Sequence, residues 1–151
     1  MDNKEFIEAI KSHQEGTNDL PNLSHINISD CLVNELNLDY KAFVQNHFTD
    51  SVFRKVSFYD SHLTQSQFSG CNFYKSYFSE AGLHKTVFSN CTFIDCSFVK
   101  VDLLETSIIG CSFYGCDFKL FDADSGIIKD SKLYDPQNLP VDQGDKFHII
   151  S

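Results

Sequence analysis

The sequence has no tryptophan, a single methionine and only three prolines among its 151 residues. It lacks any apolar run approaching the roughly 20 residues that a helix needs to cross a bilayer, which argues against a helical membrane span. The opening MDNKEFIEAIK is charged and mixed, unlike the basic-then-apolar layout of a secretory signal. The expected compartment is therefore the cytoplasm. Positive charge is short too: 12 basic residues face 21 acidic ones, a net charge of −9. Phosphate contacts by basic residues supply most of the affinity for nucleic acid, so direct nucleic-acid binding is not expected. An acidic chain suits a basic partner surface, because complementary potentials speed encounter. The same charge also serves plain solubility.

What the chain has in excess is phenylalanine, with 15 residues. The stretch Cys71 to Phe98, CNFYKSYFSEAGLHKTVFSNCTFIDCSF, places large apolar residues at Phe73, Phe78, Leu83, Phe88, Phe93 and Phe98. The same five-residue step holds at all 23 positions from Leu23 to Leu133, and 12 of the 15 phenylalanines lie on it. With 42% apolar residues, chance gives such a frame with a probability on the order of 10⁻⁹. A helix cannot use this spacing, since five residues advance about 500° and scatter the rings around the cylinder. A straight strand sends alternate rings to opposite faces. The chain must turn once per five residues, so that every central residue points at one axis. That is a narrow, filled solenoid.

Two residues before the central position the side chain is usually small, as at Ser51, Ser61, Ser66, Cys71, Ser76, Ala81, Cys91, Cys96, Cys111 and Cys116. These are the other inward positions. Two residues after it, Asp30, Asp50, Gly70, Asn90, Gly110 and Asp130 form a column of turn formers twenty residues apart. Cys31, Ser51, Cys71, Cys91, Cys111 and Ser131 repeat at the same interval. Four units therefore make one coil. The core stack comprises Phe48, Phe53, Phe58, Phe68, Phe73, Phe78, Phe88, Phe93, Phe98, Phe113 and Phe118.

Units such as Cys71-Asn72-Phe73-Tyr74-Lys75 and Thr86-Val87-Phe88-Ser89-Asn90 resemble those of the pentapeptide-repeat proteins. The resemblance covers residues 21–135 without an insertion. It implies an all-β fold, a right-handed quadrilateral β-helix of nearly six coils. At about 4.8 Å per coil the rod is some 27 Å long.

Solenoid ends need caps. Residues 1–20 read as a capping helix and connector: Asp2 and Glu5 form a capping box, Phe6, Ile7 and Ile10 share a face, and Gly16 stops the helix. Inward positions of the first coil are irregular, at Ile26, Leu36, Lys41 and Asn46, and an inward Lys41 predicts a local distortion. At the far end Phe121 and Ala123 exchange the small and large positions, a volume-conserving swap. Pro136 and Pro140 end regular pairing, and residues 136–151 form a tail with Phe147, Ile149 and Ile150 that either covers the last coil or joins two chains.

Sites for chemistry are weighed against plainer roles. Cys91/Cys96 and Cys111/Cys116 form two C-x₄-C pairs, but all six cysteines fall on the inward small position, where a small hydrophobe is wanted. Among the histidines, His62 and His84 share a face with Asp102 and Glu105 beyond them, on a convex rod with no loop to build a cleft. No catalytic residue, metal or cofactor is expected, and the chain is read as not an enzyme. Arg54, Tyr74, Ile94, Tyr114 and Tyr134 align as an outward stripe following Asn34. Tyrosine and arginine are enriched at binding hot spots, although such a ladder also supports coil stacking. Asp102, Glu105, Asp117, Asp122 and Asp124 gather towards the C-terminal half.

The repeat encodes a scaffold, and the reading is a non-catalytic, stoichiometric protein-binding module. The family resemblance implies protection of a DNA topoisomerase of the gyrase type by an acidic, DNA-like surface, and a monomer or a homodimer joined through the C-terminal end. Two alternatives stand beside it. One is an immunity or inhibitor protein neutralising a toxin; the other is a structural or adaptor protein that assembles end to end.

Overall fold

The computed structural model describes residues 1–150. Each five-residue unit contributes one side of a four-sided coil, and hydrogen bonds run between residues about twenty apart, as in His47 N–H to Ile26 O at 2.8 Å and Phe58 N–H to Tyr77 O at 2.7 Å. The fold is a quadrilateral β-solenoid of about six turns with one short N-terminal helix. Two of the four sides are regular strands. One parallel sheet has six: β1 (Asn27–Ser29), β3 (His47–Thr49), β5 (Gln67–Ser69), β7 (Val87–Ser89), β9 (Ser107–Ile109) and β11 (Ile127–Lys129). The other has seven: β2 (Leu32–Asn34), β4 (Val52–Arg54), β6 (Asn72–Tyr74), β8 (Thr92–Ile94), β10 (Ser112–Tyr114), β12 (Lys132–Tyr134) and β13 (His148–Ile150). The remaining sides pair through single bridges such as Ser57↔Tyr77 and His62↔Gly82.

The corners explain the turn-former column. Asp50, Lys55, Lys75 and Asn90 all have φ between 48° and 52°, the left-handed region that closes a turn within one residue. Gly110 is needed at its corner for a second reason: an added Cβ would meet Asn90 Oδ1 at 2.6 Å. The side chain of one coil there folds over the backbone of the next.

All eleven core-stack phenylalanines are buried, none more than 1% exposed. Rings in one column stack nearly parallel, as in Phe53–Phe73 (4.8 Å, 10°), Phe73–Phe93 (4.9 Å, 7°) and Phe93–Phe113 (4.7 Å, 8°). Rings of adjacent sides meet edge-on, as in Phe73–Phe78 (5.2 Å, 68°). Both are favourable arrangements for aromatic quadrupoles. After Phe43 the fourth column is Leu63, Leu83 and Leu103, all fully buried.

The small inward residues do more than fit. Ser66 Oγ donates to Phe43 O at 2.9 Å, Thr86 Oγ1 to Leu63 O at 2.7 Å, and Cys91 Sγ to Phe68 O at 3.3 Å. A short donor thus reaches a central-residue carbonyl of the preceding coil, which is why serine, threonine and cysteine interchange here. Asn46 follows the same logic with a longer side chain, donating to Leu23 O at 2.6 Å and accepting from Ile26 N–H at 3.1 Å. Among the described residues no buried side-chain nitrogen or oxygen lacks a partner.

Helix α1 (Asn3–Gln14) opens with the expected capping box between Asp2 and Glu5. Phe6 and Ile10 are buried, with Phe6 edge-on to Phe48 at 5.6 Å, whereas Ile7 is 46% exposed and does not join them. One turn of the helix suffices to cover the narrow end, so the third apolar residue is left at its margin. Two amides of the helix stand in for a missing strand. Asn3 exchanges hydrogen bonds with Ser29, and Gln14 donates to Asn34 O at 2.6 Å. Lys41 is a correction: its backbone keeps the coil, accepting from His62 N–H at 3.0 Å, but its side chain is exposed. No strand lies beneath it in the chain around Pro21, so the ammonium reaches water without distorting the coil.

At the C-terminal end the tail folds over the last coil. Phe121 and Ala123 are both buried, completing the volume swap. Phe147 packs edge-on against Phe113 at 5.7 Å, and β13 pairs with β12 in the register Leu133↔Ile149. Gln143 is buried, its Oε1 accepting from Ala123 N–H at 2.9 Å.

Candidate protein-binding face

The outer face of the seven-stranded sheet gathers the stripe seen in the sequence. Strand register places Arg54 beside Tyr74, then Ile94, Tyr114 and Tyr134 in turn, with Ile150 continuing the line. These are residues that follow an inward-pointing phenylalanine or leucine, so the pleat turns them outward. Tyr114 and Tyr134 stack at 4.4 Å with their planes 8° apart. Arg54 and Tyr114 are exposed; Tyr74, Ile94 and Tyr134 are half-buried.

A groove of about 570 Å³ crosses the N-terminal half of this face, lined by Leu32, Val52, Arg54, Lys55, Tyr74, Lys75, Ile94 and Asp95. Lys55 is paired with Glu35 at 3.3 Å. Arg54 and Lys75 enter no ion pair among the described residues. Sequence reasoning found one column of this face and missed its flanks. The signal was available: at a twenty-residue period Leu32 aligns with Val52, and Lys55 with Lys75.

The five acidic residues of the C-terminal half do not form one uniform surface. Asp102 and Asp122 are neighbours in adjacent coils. Glu105 lies 3.3 Å from His84 and 3.7 Å from Lys85, and Asp124 is 3.6 Å from Lys146. Asp117, on another side, accepts from Lys119 N–H and from Asn138 Nδ2, each at 3.0 Å. Asp122 accepts from Asp124 N–H at 2.8 Å, so four of the five are engaged locally. His62 and His84 sit on the same side of the rod, with no arrangement of three or more His, Cys, Asp or Glu that holds a metal among the described residues. The cysteines are all buried and free. Burial pushes the thiols of Cys31 and Cys96 above their ordinary value, the opposite of what a reactive thiolate requires. No helix among the described residues is long and apolar enough to cross a membrane.

Comparison with known proteins agrees with the geometry. A family model described as the SV2A/B/C luminal domain matches residues 21–118. No curated protein matches the chain. Among solved structures, trypsin-treated QnrB1 R167E, a plasmid-mediated fluoroquinolone resistance protein, superimposes with a TM-score of 0.64 at 21% identity, covering 72% of this chain and 57% of its own. HetL, a pentapeptide-repeat protein involved in heterocyst differentiation regulation in Nostoc sp. strain PCC 7120, gives 0.63 at 17% identity, covering 85% and 51%. Rfr23, a pentapeptide-repeat protein of Cyanothece 51142, gives 0.52 at 9% identity, covering 89% and 97%. The chain thus spans little more than half of the trypsin-treated QnrB1 and HetL chains it matches. At these identities the likeness is one of fold.

Proposed function

The chain belongs to the SV2A/B/C luminal-domain family and is a pentapeptide-repeat protein, and from that premise we propose a stoichiometric, non-catalytic protein-binding module whose partner meets the outer face of the seven-stranded sheet. The observation that carries this reading is the stripe Arg54, Tyr74, Ile94, Tyr114 and Tyr134, held in register on a stiff sheet. Aromatic side chains stacked along a sheet lose little freedom on binding, and tyrosine and arginine are residue types that anchor interfaces. The solenoid has no inserted loop to close a catalytic cleft. Six free buried thiols suit a reducing setting, so a cytoplasmic location is part of the proposal. The test is affinity capture with the whole chain as bait, set against a Tyr114→Ala/Tyr134→Ala variant. A partner retained by the parent and lost by a folded variant is the expected result; equal retention overturns the assignment of this face.

A second reading is that the partner is a DNA topoisomerase of the gyrase type. The net charge of −9 and the stacked Asp102 and Asp122 favour it, and likeness of fold to a fluoroquinolone resistance protein motivates it. Recovery of gyrase subunits in the same capture, followed by protection of supercoiling against a fluoroquinolone, is the outcome that supports it. Unchanged inhibition in the presence of the protein overturns it.

A further inference from the structure

We propose that the groove beside the stripe holds an extended acidic segment of the partner, with carboxylates on Arg54 and Lys75 and an apolar side chain against Leu32 and Val52. This deepens the reading above and rests on it. Charge points to such an occupant. In a chain of net charge −9, three of the 12 basic residues line one groove. Arg54 is the only arginine in the sequence. Elsewhere Lys85 pairs with Glu105, Lys100 with Glu80 and Lys146 with Asp124. The other lysines without an ion pair among the described residues (Lys4, Lys11, Lys41, Lys119, Lys129 and Lys132) lie outside this groove, which alone sets a lysine beside the arginine. Glu35, outside the groove, engages Lys55, and Asp95 is the one acid of the lining; Arg54 and Lys75 are left without an ion pair among the described residues. Two unmatched cations on an acidic rod form a local site for an anion, and arginine presents a fork that fits a carboxylate.

The spacing of the two cations fits it as well. Arg54 is in register with Tyr74, so Lys75 lies one coil along and one residue over. With about 4.8 Å between strands and about 3.3 Å per residue, the two Cα atoms are about 6 Å apart. In an extended chain, side chains two residues apart share a face at about 6.8 Å. A Glu-x-Glu triplet therefore spans the two cations. A residue two positions before it points into the same groove and reaches Leu32, which is 59% exposed, and Val52. The volume of about 570 Å³ is in the range of sites that enclose a small ligand or short segment. A nucleic-acid strand also stacks on tyrosine and contacts basic residues. Its unbroken row of phosphates would meet the acidic remainder of the rod, which a short carboxylate pair avoids.

The probe is a fluorescein-labelled Leu-Thr-Glu-Thr-Glu peptide, read by fluorescence anisotropy against the intact chain. Saturable binding is expected, weakening as salt rises. It should fall about tenfold or more when both glutamates become glutamine, and by a similar factor in the Arg54→Gln/Lys75→Gln variant. A Lys119→Gln/Lys129→Gln variant, altered on other sides, should bind as the parent does. Equal affinity for the glutamate and glutamine peptides overturns the proposal, as does unchanged binding by Arg54→Gln/Lys75→Gln. Preference for an oligothymidylate over the peptide overturns it in favour of a nucleic acid. The face and the groove fail separately. Loss of the captured partner in Tyr114→Ala/Tyr134→Ala with no acidic-peptide binding keeps the face and sinks the groove chemistry. Partner capture indifferent to the tyrosines sinks the face, whatever the peptide does.

Discussion

The two sheets of the solenoid share a backbone, a period and a phenylalanine core, and differ most in what they turn outward. On the four inner strands of the six-stranded sheet the outer pairs are His47 and Thr49, Gln67 and Ser69, Val87 and Ser89, Ser107 and Ile109. On the seven-stranded sheet they are Val52 and Arg54, Asn72 and Tyr74, Thr92 and Ile94, Ser112 and Tyr114. The first series is mostly small and uncharged; the second carries the arginine and the aromatic ladder. Folding constrains three of every five residues: the central one, the small one two places before it and the left-handed corner residue two places after it. The outward residues answer to other demands, so a difference between equivalent outer columns is where function is written on such a rod.

If that is right, breaking the core must hurt both sheets alike. Phe68→Ala beneath the six-stranded sheet and Phe73→Ala beneath the seven-stranded one should each cost about 3–5 kcal/mol, since each leaves a ring-sized cavity in a stack that cannot collapse. Each ring is fully buried and touches rings above, below and beside it. Urea denaturation of the two variants checks this, and a large inequality would mean that one sheet carries the stability.

Alkaline pH separates the two sides by a smaller margin. The inward column leading into the seven-stranded sheet holds Cys31, Cys71, Cys91 and Cys111 and the next Cys96 and Cys116, whereas Asn46, Ser66, Thr86 and Thr106 lead into the other. A hydrogen bond with Cys91 lowers the Cys71 and Cys111 thiols, so the alkaline effect rests on Cys31 and Cys96. Burial raises the Cys31 and Cys96 thiols above the ordinary value of 9.0. Above that pH the unfolded thiols ionise while the folded ones hold their protons. The stabilisation is therefore complete below pH 9 and is lost as pH climbs towards the folded values. The loss has a ceiling of about 1.4 kcal/mol per pH unit for each thiol. Cys96→Ser, which keeps a short donor in the column, should flatten the fall between pH 9 and 10.5 and change little at pH 7. Thermal melts across that range measure it.

The frame of large residues made the coil, its four sides and the buried stack legible in the sequence, because a filled axis leaves no freedom at Phe73 or Phe93. The same frame misled at its edges. Lys41 occupies an inward position by count, but the first coil has nothing beneath it there. Phe147 lies outside the five-residue step and still enters the core, because β13 returns to β12 after sixteen residues, Lys132 pairing with His148. The cysteines read as small hydrophobes; that they donate to carbonyls of the preceding coil depends on geometry between coils, which composition does not carry. The candidate site was half legible. The stripe follows from one column, and the groove appears only when Leu32, Val52, Lys55 and Lys75 are laid beside it.

Corners offer a further test of equivalence. Gly110 after the six-stranded side and Gly115 after the seven-stranded side have φ of 64° and 61°, and an added Cβ would meet Asn90 Oδ1 at 2.6 Å and Asp95 Oδ1 at 2.8 Å. Alanine at either should cost about 1–2 kcal/mol, the left-handed penalty plus displacement of the overlying side chain. Equal melting shifts are expected. A harmless Gly115→Ala would show that the seven-stranded side holds its corners more loosely.

The smallest effect on stability belongs to the residues with the largest proposed effect on binding. Tyr114 is stacked on Tyr134 at 4.4 Å, but it is 38% exposed and stands outside the core. Removing one exposed ring of a stacked pair should cost about 0.5–1 kcal/mol, while Ser89→Ala, at an equivalent outer position on the other sheet, should stay within about 0.5 kcal/mol of the parent. Denaturation curves for both, with partner capture measured alongside, decide what the stripe is for. A tyrosine that supports the coils would show a loss well above 1 kcal/mol with capture intact. A tyrosine kept for a partner would show the reverse: a rod that melts almost as before and no longer holds what it was built to hold.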